Sequence, residues 1–417
     1  MRRTVRQERS KEKVSARPEV AQAAAATDTR AAVIQALIPI VLEHVAERLA
    51  AEVVAAAGAR YQRGDHAPAC VRWGAQAGSV YLGDQRVRLS VPRVRDRATN
   101  SEVPLPTYRA LQTPRGADQA LMLAILGGLS TREYGRCVRL VPEAFGLSAS
   151  TTSRRFRLAS RRALAALQER RLSGESFVAV VLDGKTFASD MMVIAIGVLA
   201  TGEKRVLGVV QTATENRVVC AQFLRQLLER GLYIDDGILV VVDGSKGLRA
   251  AVDEVFGVRG VVQRCQWHKR ENVVRYLPKS QQATMRRQLQ RAYEQPTYER
   301  AKKALVQVRR ELLLLNTSAA ASLDEGLEET LTLHRLGCFR ALGISLKTTN
   351  VLESINARIA SRTDKVDVWK TSEQKHRWVA VALLDLEPRL HRIKGFAALP
   401  RLQAALVREV RRARIAA

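Results

Sequence analysis

FVAVVLDGKTF at residues 177–187 and ILVVVDGSKGLRAAV at residues 238–252 decide the fold. Each opens with an apolar, β-branched run of strand length and passes directly into Asp-Gly. Between them, MMVIAIGVLA (191–200) and EKRVLGVVQTATEN (203–216) read as two further strands joined at Thr201-Gly202, and RVVCAQFLRQLLERGL (217–232) reads as a helix. The helix KGLRAAVDEVFG (246–257) and the strand VRGVVQRCQWH (258–268) follow. Three consecutive antiparallel strands, a helix, and then strands alternating with helices predict an α/β core.

That order is the order of the ribonuclease-H-like fold. The core is predicted over 173–277 and again over 347–395, where TTNVLESINARIASR and TSEQKHRWVAVALLDLEPRL resume it. Between the two parts, 278–346 has helical periodicity and no strand signal, which predicts an all-α insertion. A basic helix closes the chain over 396–417. Upstream, 1–28 is rich in Arg, Lys, Glu and small residues without apolar periodicity, and is expected to be a flexible basic arm. The region 29–116 holds an amphipathic helix from Ala31 to about Ala57, interrupted or kinked near Pro39, and a β-hairpin in SVYLGDQRVRLSVPRVRD turning at Gly83-Asp84. Pro92 demotes the end of that hairpin to an edge. Its arginines Arg86, Arg88, Arg93 and Arg95 suit either a phosphate backbone or a solvated ribbon face. Over 117–172, helices meeting at Gly146-Leu147-Ser148 match a helix-turn-helix pattern that would send Arg154, Arg155 and Arg157 to DNA.

Charge bounds the function. The 417 residues contain 68 Lys and Arg against 41 Asp and Glu, a formal net charge of +27, which points to nucleic acid as partner. No apolar run approaches a membrane span, and the N-terminus lacks the sustained apolar stretch of a signal peptide. The five cysteines are scattered and odd in number, as expected in the cytoplasm.

Asp183 and Asp243 end apolar runs, where open α/β sheets present their ligand crevice, and Glu353 lies in the first turn of a helix beyond the insertion. Taken singly, each has a structural explanation: Asp-Gly marks turns, and Glu353 stands at capping-box spacing from Asn350. Taken together in so basic a chain, three carboxylates point to hard divalent cations, two ions of Mg²⁺ or Mn²⁺ serving in-line attack at phosphorus. Residues 243–248 lack the spacing of a nucleotide-binding Gly-rich loop, so no ATP requirement follows.

The blocks LDGKTF, VVDGSKGLRAAV, VQRCQWHKRENVVRYLPK and TTNVLESINARI resemble the signature blocks of the bacterial Mutator-type insertion-sequence transposases, over roughly 80–390. The resemblance implies a DDE triad of Asp183, Asp243 and Glu353, cleavage at terminal inverted repeats, and strand transfer into target DNA. It also brings in the pair Cys265 and His268, with Asn356 and Arg358 on the helix of Glu353, as supporting or phosphate-facing residues. Lys269 and Arg270, directly after His268, are expected DNA contacts. Two DNA ends handled together predict a homodimer, working on nucleoid DNA. A non-catalytic DNA-binding regulator and a nuclease that cuts without joining are the alternatives.

Overall fold

The computed structural model describes residues 18–61, 68–82, 85–112, 117–138, 145–213, 216–364 and 366–416. These fall into two compact units, Met1–Leu121 with Leu129–Arg155, and Met122–Gly128 with Phe156–Ala417.

The first unit opens with helix α1 (Pro18–Ala57), which starts within the stretch expected to be a flexible arm. Its Ala-rich VAQAAAATDT needs no apolar periodicity, because alanine has the highest intrinsic helix propensity. Residues 1–17 of that arm lie outside the described residues. Of the interruption or kink expected near Pro39, no interruption occurs: the helix is continuous there, and the position is exposed, where water can meet the carbonyl that proline leaves without a donor. Strands β1 (Cys70–Leu82) and β2 (Gln85–Asp96) pair antiparallel, with Leu82 opposite Gln85. The turn expected at Gly83-Asp84 lies outside the described residues. The short β3 (Glu102–Val103) adds to β2 only at Val94 and Arg95, so β2 has a single neighbour at Pro92. Val45, Leu49 and Val53 of α1, spaced by four, bury against Val94 and Leu105. Helices α2 (Pro106–Ala110) and α4 (Thr131–Val138) follow in this unit, while α3 (Ala117–Leu126) and α5 (Ala149–Glu169) each have residues in both units. Ser148 caps α5 by accepting a hydrogen bond from the Thr151 amide at 3.3 Å. The turn expected at Gly146-Leu147-Ser148 is described, with Gly146 at φ +86°, whereas residues 139–144 before it lie outside the described residues.

The second unit is built on a five-stranded mixed sheet: β4 (Phe177–Phe187), β5 (Asp190–Leu199), β6 (Lys204–Thr212), β7 (Ile238–Val242) and β8 (Gly260–Arg264), in the order β6-β5-β4-β7-β8. The first three strands are antiparallel; β7 and β8 add in parallel beside β4. The parallel strands need crossover helices, supplied by α6 (Arg217–Glu229) and α7 (Lys246–Phe256). Val180 and Leu182 of β4 and Val240 and Val242 of β7 share one buried cluster with Leu224 of α6 and Leu248 of α7. Because strand side chains alternate, Val181 and Asp183 point to the opposite face.

After β8 and α8 (Gln266–Val274) every described element up to residue 346 is helical: α9 (Lys279–Tyr293), α10 (Tyr298–Leu315), α11 (Thr317–Asp324), α12 (Leu327–Thr330), α13 (Thr332–Arg335) and α14 (Phe339–Leu346). These helices have their own core, in which Leu289, Leu305, Leu312 and Leu323 are fully buried. Burying each such leucine contributes about 1.5–3 kcal/mol. The chain then returns to the sheet with α15 (Asn350–Thr363), which packs against β4, α16 (Ser372–Leu386), against β5 and β6, and α17 (Leu399–Ala416), against β4 and β7. None of their residues joins the cluster under α6 and α7, which leaves them the other face, the one toward which Asp183 points. Among the described residues no helix is long and apolar enough to cross a membrane.

Candidate active site

The parallel register of β4 and β7 pairs Leu182 with Val242, so Asp183 and Asp243 are the next residues along two neighbouring strands. Strands in a sheet lie about 4.8 Å apart, which makes the two carboxylates neighbours. Their local settings differ. Asp183 does not end its strand: β4 continues to Phe187 paired with β5, and Asp183 sits where β4 loses its β7 neighbour, only 6% exposed. Asp243 does leave its strand, and its Oδ1 accepts a hydrogen bond from the Ser245 amide at 2.9 Å. Gly244 then takes φ +115°, and a Cβ there would lie 2.5 Å from Nε of Arg264.

Arg264, the last residue of β8, is almost completely buried and donates to the carbonyls of Gly244 and Glu325, both at 3.1 Å. Gly326, also left-handed, is packed against the same guanidinium. Gln263 and Gln266 both donate to the Thr330 carbonyl, at 2.9 and 2.8 Å. Lys269 completes this seam and is itself a correction to the expectation that it contacts DNA. It is 1% exposed and its Nζ donates to the carbonyls of Ser322, at 2.7 Å, and Glu325. Burial holds its pKa down to about 8. An amphipathic stem places a lysine inside only when backbone oxygens satisfy its head, and nothing in KRENVV discloses those oxygens.

Glu353 reaches the site from α15. The N-cap of that helix is Thr349 and makes no side-chain cap bond, so the capping box with Asn350 does not form. Instead Oε1 of Glu353 lies 3.9 Å from Nε2 of His268, with the two side chains 39% and 28% exposed. The other ring nitrogen of His268, Nδ1, lies 3.4 Å from the hydroxyl of Thr349, and that hydroxyl lies 3.8 Å from Sγ of Cys265. The Cys265 amide donates to the Val242 carbonyl at 2.7 Å, immediately before Asp243, and burial raises its thiol pKa. Cys265 and His268 therefore join the end of β7 to the start of α15. Thr349, fully buried between them, was not singled out by sequence reasoning; only its place in the TTN block marked it.

Among the described residues, no three His, Cys, Asp or Glu side chains converge closely enough to hold one metal ion as they stand. Asp183 and Asp243 offer adjacent hard oxygen donors, the chemistry a divalent cation takes, while the carboxylate of Glu353 is turned to His268. Asn356 is half-buried on α15 one turn after Glu353, and Arg358 is exposed on the same helix.

The remaining expected DNA contacts differ in availability. Arg154 and Arg157 are exposed on α5. Arg155 is engaged by Asp118, with Nη2 at 3.2 Å from Oδ1. Arg270 bonds to Glu271 and Gln290, at 3.3 and 3.2 Å. On the hairpin, Arg93 pairs with Glu102 at 2.7 Å, while Arg86, Arg88 and Arg95 lie over aromatic rings.

The family model described as "Transposase, Mutator family" matches residues 9–391. A transposase for insertion sequence element IST2 of Acidithiobacillus ferrooxidans is 32% identical over 42% of this chain and 57% of its own length. One for ISRM5 of Rhizobium meliloti is 28% identical over 70% of this chain and 73% of its own. One for IS256 in transposon Tn4001 of Staphylococcus aureus is 26% identical over 72% and 77%.

Proposed function

The chain belongs to the Mutator family of transposases, and we propose that it cuts DNA at the terminal inverted repeats of its element and joins the ends to target DNA by DDE chemistry. Asp183, Asp243 and Glu353 are the catalytic acids. The observation that carries this reading is the β4–β7 register, which sets two aspartates side by side on the sheet beneath the helix that bears Glu353. The strand order, three antiparallel strands and then two parallel to the first, supports a ribonuclease-H-like core.

Asp183 and Asp243 fit a divalent cation by donor chemistry, and Glu353 completes the set once its carboxylate leaves His268. Two Mg²⁺ or Mn²⁺ ions, when bound, supply an activated oxygen nucleophile and stabilise the leaving oxygen at phosphorus. The protein contributes rigidity and charge. Asp183 is fixed within a paired strand, Asp243 is oriented by the Ser245 amide, and Thr349 with His268 sets the start of α15. Exposed arginines such as Arg154, Arg157 and Arg358 neutralise the DNA on either side. Handling two ends at once calls for two copies of the chain on nucleoid DNA.

The test is incubation of the purified chain with labelled end DNA and Mg²⁺, beside Asp243→Ala. Cleaved and joined products from the natural chain alone are expected; equal cleavage by both forms would sink the assignment of the acids. Cleavage without joining under any divalent metal would leave a nuclease instead.

A further inference from the structure

On α15, one helical turn from Glu353, a cavity of about 350 Å³ opens between Asn350, Val351, Ser354 and Arg358 on one wall and residues 389–394 on the other, with Lys204 at its side. Its rim is strongly cationic: Lys204, Arg358, Arg389, Arg392 and Lys394 all border it, together with His391. Two of these charges are answered. Arg389 pairs with Asp385 at 2.7 Å and Arg392 with Glu203 at 3.3 Å. Among the described residues no carboxylate lies within ion-pair distance of Lys204, Arg358 or Lys394. Lys204 instead donates to the His391 carbonyl. Burial and the like charge of Arg358 both lower its pKa, so the two cations stand close enough to repel each other. The first turn of α15 borders the same space and adds the positive end of the helix dipole. Unanswered like charges crowded around a concave space are stabilised when an anion enters.

We propose that this cavity binds a phosphodiester of a DNA strand, on the flank of α15 turned away from Glu353. The proposal rests on the reading of the chain as a DNA-cleaving transposase. Val351, Ser354, Ile355 and Arg358 form one stripe of the helix, and Glu353, five residues before Arg358, lies about 140° away from it around the axis at 3.6 residues per turn. A phosphate held at Arg358 therefore lies on the other flank of α15 from the carboxylate.

The experiment is binding of labelled end DNA in EDTA, where cleavage is silent, read as the slope of log affinity against log salt. Lys204→Gln combined with Arg358→Gln is expected to weaken binding evenly across DNA sequences and to reduce the slope by about one to two. Arg358→Lys should keep most of the slope. Ser354→Glu, at an exposed position on the cavity wall, leaves every cation in place and should weaken binding several-fold, which serves if the double variant does not fold. An unchanged slope in a folded double variant, or normal binding by Ser354→Glu, overturns the proposal. Displacement of DNA by inorganic phosphate at constant ionic strength, without any effect of the variants on DNA affinity, would assign the cavity to a free anion and also overturn it. The two readings fail separately: a natural chain that binds no DNA removes the partner, whereas normal cleavage by Asp243→Ala removes the acids and leaves the cavity standing.

Discussion

Gly184 and Gly244 both follow an aspartate, yet only Gly244 turns the chain. Gly184 is a strand residue opposite Val193, while Gly244 holds φ +115° against the guanidinium of Arg264. Gly244→Ala is expected to cost about 1–3 kcal/mol in denaturant unfolding and to depress cleavage, because alanine is strained there and displaces the clasp beside Asp243. Gly184→Ala should cost well under 1 kcal/mol by the same measurement; equal losses would refute the distinction. Sequence placed both aspartates correctly relative to their apolar runs, since a buried strand writes itself as a β-branched stretch. It could not separate the two Asp-Gly pairs. Whether β4 stops at Asp183 depends on β5, whose pairing with residues 183–187 is a long-range fact. Lys269 and Arg155 mark the same limit from the other side: a basic letter discloses charge, and only the fold tells whether a carbonyl or a carboxylate already holds it.

Elements were more legible than their partners. The strands of the main sheet lie on the quoted apolar runs, and the helices of 279–346 follow their apolar periodicity. The helical insertion also carries a pH dependence. His334 of α13 is buried, stacked on Phe339 at 3.6 Å between centroids, with Nε2 at 3.1 Å from the carbonyls of Tyr293 and Gln295. Two carbonyl partners make Nε2 the donor, and Nδ1 is buried without a partner, so the ring is held neutral. Burial lowers its pKa from the ordinary 6.5. A base whose folded pKa is depressed binds fewer protons folded than unfolded, so its contribution is complete above pH 6.5 and is lost as pH falls toward the folded value. Thermal midpoints taken from pH 7 to 5 should therefore drop more steeply for the natural chain than for His334→Gln, and parallel curves would contradict this. The N-terminal helix shows why its start was missed: periodicity finds amphipathic faces, and an alanine-rich segment can be helical without one.

At the scale of the whole molecule, a net charge of +27 is a statement about partners and not about architecture. Nothing in composition distinguishes a chain that works alone from one that works in pairs, so the proposed dimer must be measured. Analytical ultracentrifugation with end DNA should give two copies per pair of ends, and strictly monomeric complexes under cleaving conditions would remove that proposal. The seam around Arg264 has a wider consequence. Arg264, Lys269, Gln263 and Gln266 hold the insertion chiefly through the carbonyl oxygens of Ser322, Glu325 and Thr330. A grip on main-chain oxygens is indifferent to the side chains they belong to. The side chains at Ser322 and Glu325 are thus free to drift, provided the path of the backbone there is kept and Gly326, which packs against Arg264, stays a glycine.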